Sequence, residues 1–299
     1  MTYDYSAVQK TFQPMIDWVE QANVDPFSSL IQFWGHNATI NQTFTANAYQ
    51  YTGNASEKPY YDASDPSTNP NDFPAPFVTF TFDKIGTPPS GGADLRVDSQ
   101  NNITSALDTP DALRNIYAGL SFKATTPVLT QVNNIIQSVY QTSYNKPPYD
   151  FLLAEYQPIP YRATVQSIRN GRKVFGLDKY ENDNIIQVML VALLTDATQD
   201  TAVRELIDAT MSNVIAYTQS AGAYRQWEYV NYAYESEDPI GNYGADNVQF
   251  LKNVSLKYDP GQTFQTLVPG GWKLGDARKR VKQSNINQFG KYRSSGTGA

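Results

Sequence analysis

The chain has 299 residues, 40% of them apolar and 17% charged, enough for a substantial core and too apolar for a disordered polymer. It carries no cysteine, one histidine and a net charge of −6, which excludes disulfides, thiolate metal sites and cysteine nucleophiles and makes an acidic body a poor partner for nucleic acid. The balance is uneven: Lys273, Arg278, Lys279, Arg280, Lys282, Lys291 and Arg293 stand against Asp276 alone near the C-terminus, a pattern that reads as a solvated appendage.

The N-terminus has no basic region followed by an apolar run, so no signal peptide is visible. The longest apolar stretch, Ile185 to Leu194, is too short to span a bilayer and is interrupted by Gln187. Five sequons, at Asn37, Asn41, Asn54, Asn102 and Asn253, are candidate glycosylation acceptors.

In chain order, residues 6–21 read as a helix with Val8, Phe12, Met15, Ile16 and Val19 at helical spacing. Ser6 and Gln9 are spaced as a capping box, and Pro14 predicts a bend or a later start. Residues 28–51 alternate and are rich in β-branched side chains, which predicts a hairpin. Residues 52–75 and 86–94 are dense in proline, glycine and asparagine and read as a surface loop or lid and a second break. A strand over 114–124 precedes a helix with Thr126 as N-cap, Pro127 at its first position and a core stripe through Leu129, Val132 and Ile136. Strands follow over 149–160 and 184–196, then a long helix over 200–220, a strand around Tyr229 and a last helix over 246–258 with Val248, Leu251 and Val254. Strands and helices without regular βαβ spacing predict an α+β fold, a large, mostly antiparallel sheet with helices on one face.

From Tyr229 onward the sequence reads YVNYAYESEDPIGNYGADNVQFLKNVSLKYDPGQTFQTLVPGGWKL. The YVNY strand, the YG before a helix, the KYDP…FQ run and the PGG-aromatic-KL end occur together and in order. With YQPIP at 156–160 and GLD at 176–178, they resemble the C-terminal portion of fungal berberine-bridge-enzyme-like FAD-linked oxidases of the vanillyl-alcohol-oxidase superfamily, over roughly residues 1–274. That resemblance implies a substrate-binding domain over 1–242, a segment 243–274 that returns to the FAD domain, and a basic, disordered tail over 275–299. It also implies FAD as cofactor, bound by an N-terminal domain with a glycine-rich segment that this sequence does not show. The family is often secreted and serves secondary metabolism.

By the same resemblance Tyr232, the tyrosine after the asparagine of YVNY, is the catalytic base, and Gln157 lines the site beside it. A phenol takes a proton only where neighbours stabilise the phenolate. Strand alternation would put Val230, Tyr232 and Tyr234 on one face and Tyr229, Asn231 and Ala233 on the other. Tyr229, Asn231, Glu155 and Arg162 are candidate substrate contacts, Glu155 sharing the face of Gln157. Arg172 and Lys173 stand where paired glycines are usual in the family, a departure at its substrate contacts. His36, beside Trp34, reads as a packed core histidine. No metal cluster, P-loop, dinucleotide fingerprint or nucleophile elbow is present.

The first expectation is therefore the substrate-binding portion of an FAD-dependent oxidoreductase acting on a small hydroxylated, phenolic or alkaloid-like metabolite, its flavin held by a separate chain or domain. The alternatives are a flavin-free binding module or cyclase derived from that domain, and an inactive truncated product. Neither nucleic acid nor membrane is an expected partner.

Overall fold

In the computed structural model, residues 2–21, 28–52, 99–105, 113–169, 174–180 and 182–274 are described. The predicted loop over 52–75, the break over 86–94, Arg172 and Lys173, and the tail from 275 lie, but for Thr52, outside them. A seven-stranded antiparallel sheet runs in the order β1-β3-β2-β5-β6-β4-β7. Its strands are β1 Thr2–Asp4, β2 Ser28–Asn37, β3 Gln42–Tyr51, β4 Arg114–Lys123, β5 Phe151–Ile159, β6 Ile185–Leu194 and β7 Tyr224–Arg225. The helices are α1 Phe12–Gln21, α2 Gln100–Ser105, α3 Thr126–Gln141, α4 Tyr161–Arg169, α5 Asp200–Ser220, α6 Ala245–Tyr258 and α7 Thr263–Thr266. The fold is α+β.

The hydrophobic period decides the layers. On β2, β4 and β5, Leu30, Trp34, Ile116, Ala118, Leu120, Phe122, Leu152, Ala154 and Tyr156 all point to one side, where they meet α1, α3 and α5. From the helices come Phe12, Met15, Val19, Leu129, Val132, Ile136, Val203, Ile207 and Val214. β6 lies between β5 and β4 and is buried at every position. Its run of Ile, Val and Leu without alternation is what a strand covered on both faces requires.

Three local expectations change. The first helix begins at Phe12 after a 3-10 turn over Tyr5–Thr11, so Pro14 falls in its first turn, where a missing N–H costs nothing. Asp4, rather than Ser6, is the cap and accepts from the Ser6 amide at 2.9 Å, and the Gln9 side chain donates to Asn134 Oδ1 at 2.8 Å. The capping box is therefore not formed. The N-cap of α3 is Thr125, one residue earlier than expected, and the Thr126 hydroxyl donates to Gln13 Oε1 at 2.8 Å.

The apolar layer encloses a polar chain on β2, β5 and α3. Trp34 Nε1 donates to the Tyr156 hydroxyl at 3.3 Å, and that hydroxyl donates to Asn133 Oδ1 at 3.0 Å, all three residues being fully buried. Removing the hydroxyl strands a donor and an acceptor away from water, which costs more than the net worth of either bond. Tyr156→Phe is expected to lower unfolding free energy by about 1–3 kcal/mol, read as a lower urea midpoint with an unchanged m-value.

Candidate functional site

The other side of the sheet is only partly covered. Strand register sets Phe33, Glu155, Met189 and Gly119 in one row, Gly35, Leu153, Val191 and Tyr117 in the next, and Gln157, Gln187, Ser121 and Arg225 in a third. Met189, Val191 and Leu193 are buried here, with Tyr117, Phe151, Leu153 and Tyr232 packed against them and half-buried. The result is an apolar and aromatic face with a polar corner at Glu155 and Gln157.

Tyr232 reaches this face from a segment that is not the expected strand. Regular pairing in this part of the chain is confined to Tyr224–Arg225, and the Tyr232 amide donates to the Tyr229 carbonyl at 2.9 Å, closing a turn. The alternation expected for residues 229–234 accordingly fails. Tyr232 packs on the open face, whereas Tyr234 joins the helix-side core, with the Arg204 guanidinium of α5 at 6.0 Å from its ring. Residues 226–234 thus pass from one side of the sheet to the other around the edge of β4, and Tyr243 is back in one cluster with Trp227. Period 2 in YVNYAY is produced by two different environments, not by a pleat.

Side-chain anchors hold this segment in place of ladder bonds. Trp227 Nε1 donates to the Phe175 carbonyl at 2.8 Å, and Lys179 Nζ donates to the carbonyls of Gln226 and Asn242, both at 2.9 Å. Gly176 has φ +71°, and an added Cβ would fall 2.4 Å from the Tyr243 carbonyl oxygen, so only glycine fits that close approach. Glu237 closes the segment: one carboxylate oxygen accepts from the Gly119 amide of β4 at 3.2 Å, the other from the Tyr234 amide at 2.5 Å.

Three of the expected site residues meet directly. Gln157 Nε2 donates to the Tyr232 hydroxyl at 3.3 Å and also to the Glu155 carboxylate. Glu155, Gln157 and Tyr232 are therefore one hydrogen-bonded group assembled from β5 and the 226–243 segment. Tyr229 stands edge-on to Tyr232, ring centroids 5.0 Å apart, and Asn231 Nδ2 donates to the Tyr229 hydroxyl at 2.9 Å. Tyr229 thus packs directly on the Tyr232 ring, and Asn231 fixes Tyr229. Arg162 lies in the first turn of α4, outside the bonds that join Glu155, Gln157 and Tyr232.

Sequence reasoning missed two residues. Tyr117 shares the face and lies near Glu155 and Tyr232; burial first, then those two groups, push its phenol up. The parity of β4 was a signal that could have found it. Glu237 left no pattern, because its partners are backbone amides distant in sequence. Burial pushes the Glu155 carboxyl up, opposed by the Gln157 hydrogen bond. Burial also pushes Glu237 up to about 8, against its two amide donors and with help from nearby Glu228. His36 is packed as expected, stacked on Tyr144 at 4.0 Å and bonded to the Tyr149 hydroxyl and to Asn41, both at 3.1 Å. Among the described residues no group of three His, Asp or Glu side chains could hold a metal ion, and no helix is long and apolar enough to cross a membrane.

Against known proteins, the chain is similar to fungal FAD-dependent monooxygenases. It is 28% identical over 277 residues to the FAD-dependent monooxygenase drtC of Aspergillus calidoustus, a match covering 91% of this chain and 48% of that protein. To sdcF of Emericella nidulans, another FAD-dependent monooxygenase, it is 25% identical over 280 residues, covering 92% and 53%. A stretch of 78 residues, 25% of this chain and 15% of the relative, is 40% identical to the bifunctional solanapyrone synthase of Alternaria solani. The chain spans about half the length of the curated relatives it matches most fully. Among solved structures, 6-hydroxy-D-nicotine oxidase of Arthrobacter nicotinovorans aligns with TM-score 0.49 and 12% identity, over 89% of this chain and 52% of that one. No family model matches.

Glu237 yields a prediction with a definite sign. Its folded-state pKa lies above the unfolded value, so the folded chain holds the proton more tightly between about pH 4.5 and about 8. Its contribution is full below that window and is lost as pH rises through it, at up to about 1.4 kcal/mol per pH unit. Urea unfolding at pH 5, 6.5 and 8 should show stability declining with pH in the wild type and a flatter profile in Glu237→Gln.

Proposed function

We propose that this chain is the substrate-binding portion of an FAD-dependent oxidoreductase that oxidises a small hydroxylated, phenolic or alkaloid-like metabolite. The observation that carries the reading is the Gln157–Tyr232 hydrogen bond on a half-covered aromatic face, in a chain similar over 91% of its length to an FAD-dependent monooxygenase.

The face fits the ring end of such a cofactor. Tyr117, Tyr232, Leu153 and Phe151 offer a part-exposed apolar surface beside the hydrogen-bonding groups of Glu155 and Gln157, which suits a flat ring system with polar edges. The sequence has no G-x-G-x-x-G run for a pyrophosphate. In this reading residues 1–242 bind substrate, and a separate FAD-binding chain or domain holds the nucleotide end. Residues 243–274 support the same division. Tyr258 is 73% exposed and Leu267 75%, with Leu256, Phe264 and Val268 also exposed, an apolar concentration characteristic of a surface that meets a partner.

Bound there, the flavin supplies a hydride acceptor. The chain's own residues handle the proton and the pose. Tyr232, as a phenolate stabilised by the Gln157 amide already pointed at that oxygen, takes the substrate's proton and becomes the neutral phenol. Tyr229, fixed by Asn231, holds the Tyr232 ring, and the apolar row from Leu153 to Tyr117 keeps water from the substrate body. In the assembled enzyme, Tyr232→Phe should slow flavin reduction by about 10²- to 10⁴-fold.

The reading is tested first on the chain alone, by fluorescence titration of riboflavin and of FAD. Similar quenching and affinity for the two is expected, since this chain would contact only the ring system. A strong preference for FAD would place phosphate contacts in this chain and overturn the division. Quenching of neither would remove the face as a flavin surface.

A further inference from the structure

We infer that the open face selects a cationic amine, with Glu155 as the residue that receives the ammonium group. This inference rests on the substrate-binding reading above and narrows it to a class of substrate.

Three carboxylates among the described residues stand in ion pairs. Asp183 meets Arg225 and Lys123 Nζ, the latter at 2.9 Å; Asp200 meets Arg114; and Glu235 meets Arg204 at 2.8 Å. Glu237 takes two backbone amides. Glu155 differs. Among the described residues it accepts one hydrogen bond, from the neutral amide of Gln157, and pairs with no cation. Its neighbours across the sheet are Phe33 and Met189, and along its own strand Leu153 and Gln157. A part-buried carboxylate in so apolar a row lacks charge compensation, a cost that a cationic ligand removes.

The surroundings add to the same preference. Tyr117 from β4 and Tyr232 from the 226–243 segment lie close to Glu155, and tyrosine rings attract a desolvated ammonium through their faces. They are also the titratable groups facing Glu155 among the described residues; β2 and β6 contribute Phe33 and Met189. Gln157 fixes the carboxylate by holding it and the Tyr232 hydroxyl with one amide nitrogen. An amine with an apolar or aromatic body would set its ammonium at Glu155 and its body along Leu153, Val191 and Tyr117. An anionic substrate would meet an uncompensated negative charge. The upward push that burial gives the Glu155 carboxyl is consistent with a group short of a cation.

The test is binding to the isolated chain at pH 7.5, measured calorimetrically with tyramine, 4-ethylphenol and 4-hydroxyphenylacetate, which share a phenol and differ in charge. Tyramine should bind at least tenfold tighter than 4-ethylphenol and the acid weakest. Glu155→Gln, its fold checked by near-ultraviolet circular dichroism, should bring tyramine down to the level of 4-ethylphenol. Should that variant not fold, the wild type carries the test: tyramine affinity should fall as pH drops and Glu155 protonates, while 4-ethylphenol affinity stays constant. Equal binding of tyramine and 4-ethylphenol, a preference that survives Glu155→Gln, pH-independent tyramine binding, or no binding of the three probes would each overturn the inference. Flavin quenching kept alongside such a result leaves the oxidoreductase reading standing, and its loss removes both.

Discussion

The structure depends on an interior strand of the sheet that is buried on both sides. β6 is buried at all ten positions, so a cover is needed above and below it. Helices α1, α3 and α5 provide one cover with a continuous aliphatic and aromatic layer. The second is incomplete: residues 226–243 lie over part of the face, and Leu153, Phe151 and Tyr117 remain half-exposed beside buried Met189 and Val191. An incomplete cover over an apolar sheet is where a ligand or a second domain gains the most by binding, and the candidate site occupies that gap.

Much of this frame was legible because burial writes its period into the chain. The unbroken Ile, Val and Leu run of β6 and the stripe of α5 predicted their elements within a residue or two, and the alternating 28–51 region formed the expected hairpin. The misreadings share a cause. Residues 229–234 alternate as a strand would, yet Tyr232 and Tyr234 end on opposite sides of the sheet because Trp227, Lys179 and Glu237 fasten the backbone to partners far away in sequence. Local pattern carries no record of such bonds.

The candidate site was legible to a different degree. Gln157 and Tyr232 are 75 residues apart, and resemblance rather than spacing suggested that they meet. Glu155 followed from strand parity with Gln157, which the register bears out. Tyr117 belonged to the same parity argument on a neighbouring strand but had no motif around it. Glu237 was invisible, since a carboxylate that takes backbone amides needs no complementary side chain to mark it.

The edges of the sheet give Glu237 a further consequence. β1 pairs with β3 over three residues and β7 with β4 over two, so among the described residues long stretches of both outer strands lack a neighbouring strand. Open amides along such an edge are a template for pairing with another molecule, the usual start of β-aggregation. At Gly119 that opportunity is closed: the amide is already spent on Glu237, and the segment that carries this carboxylate crosses the edge at the same place. A single acidic residue thus orders the loop bearing Tyr232 and also guards β4 against recruitment by a second chain, so that colloidal behaviour and site geometry are tied to the same atom pair.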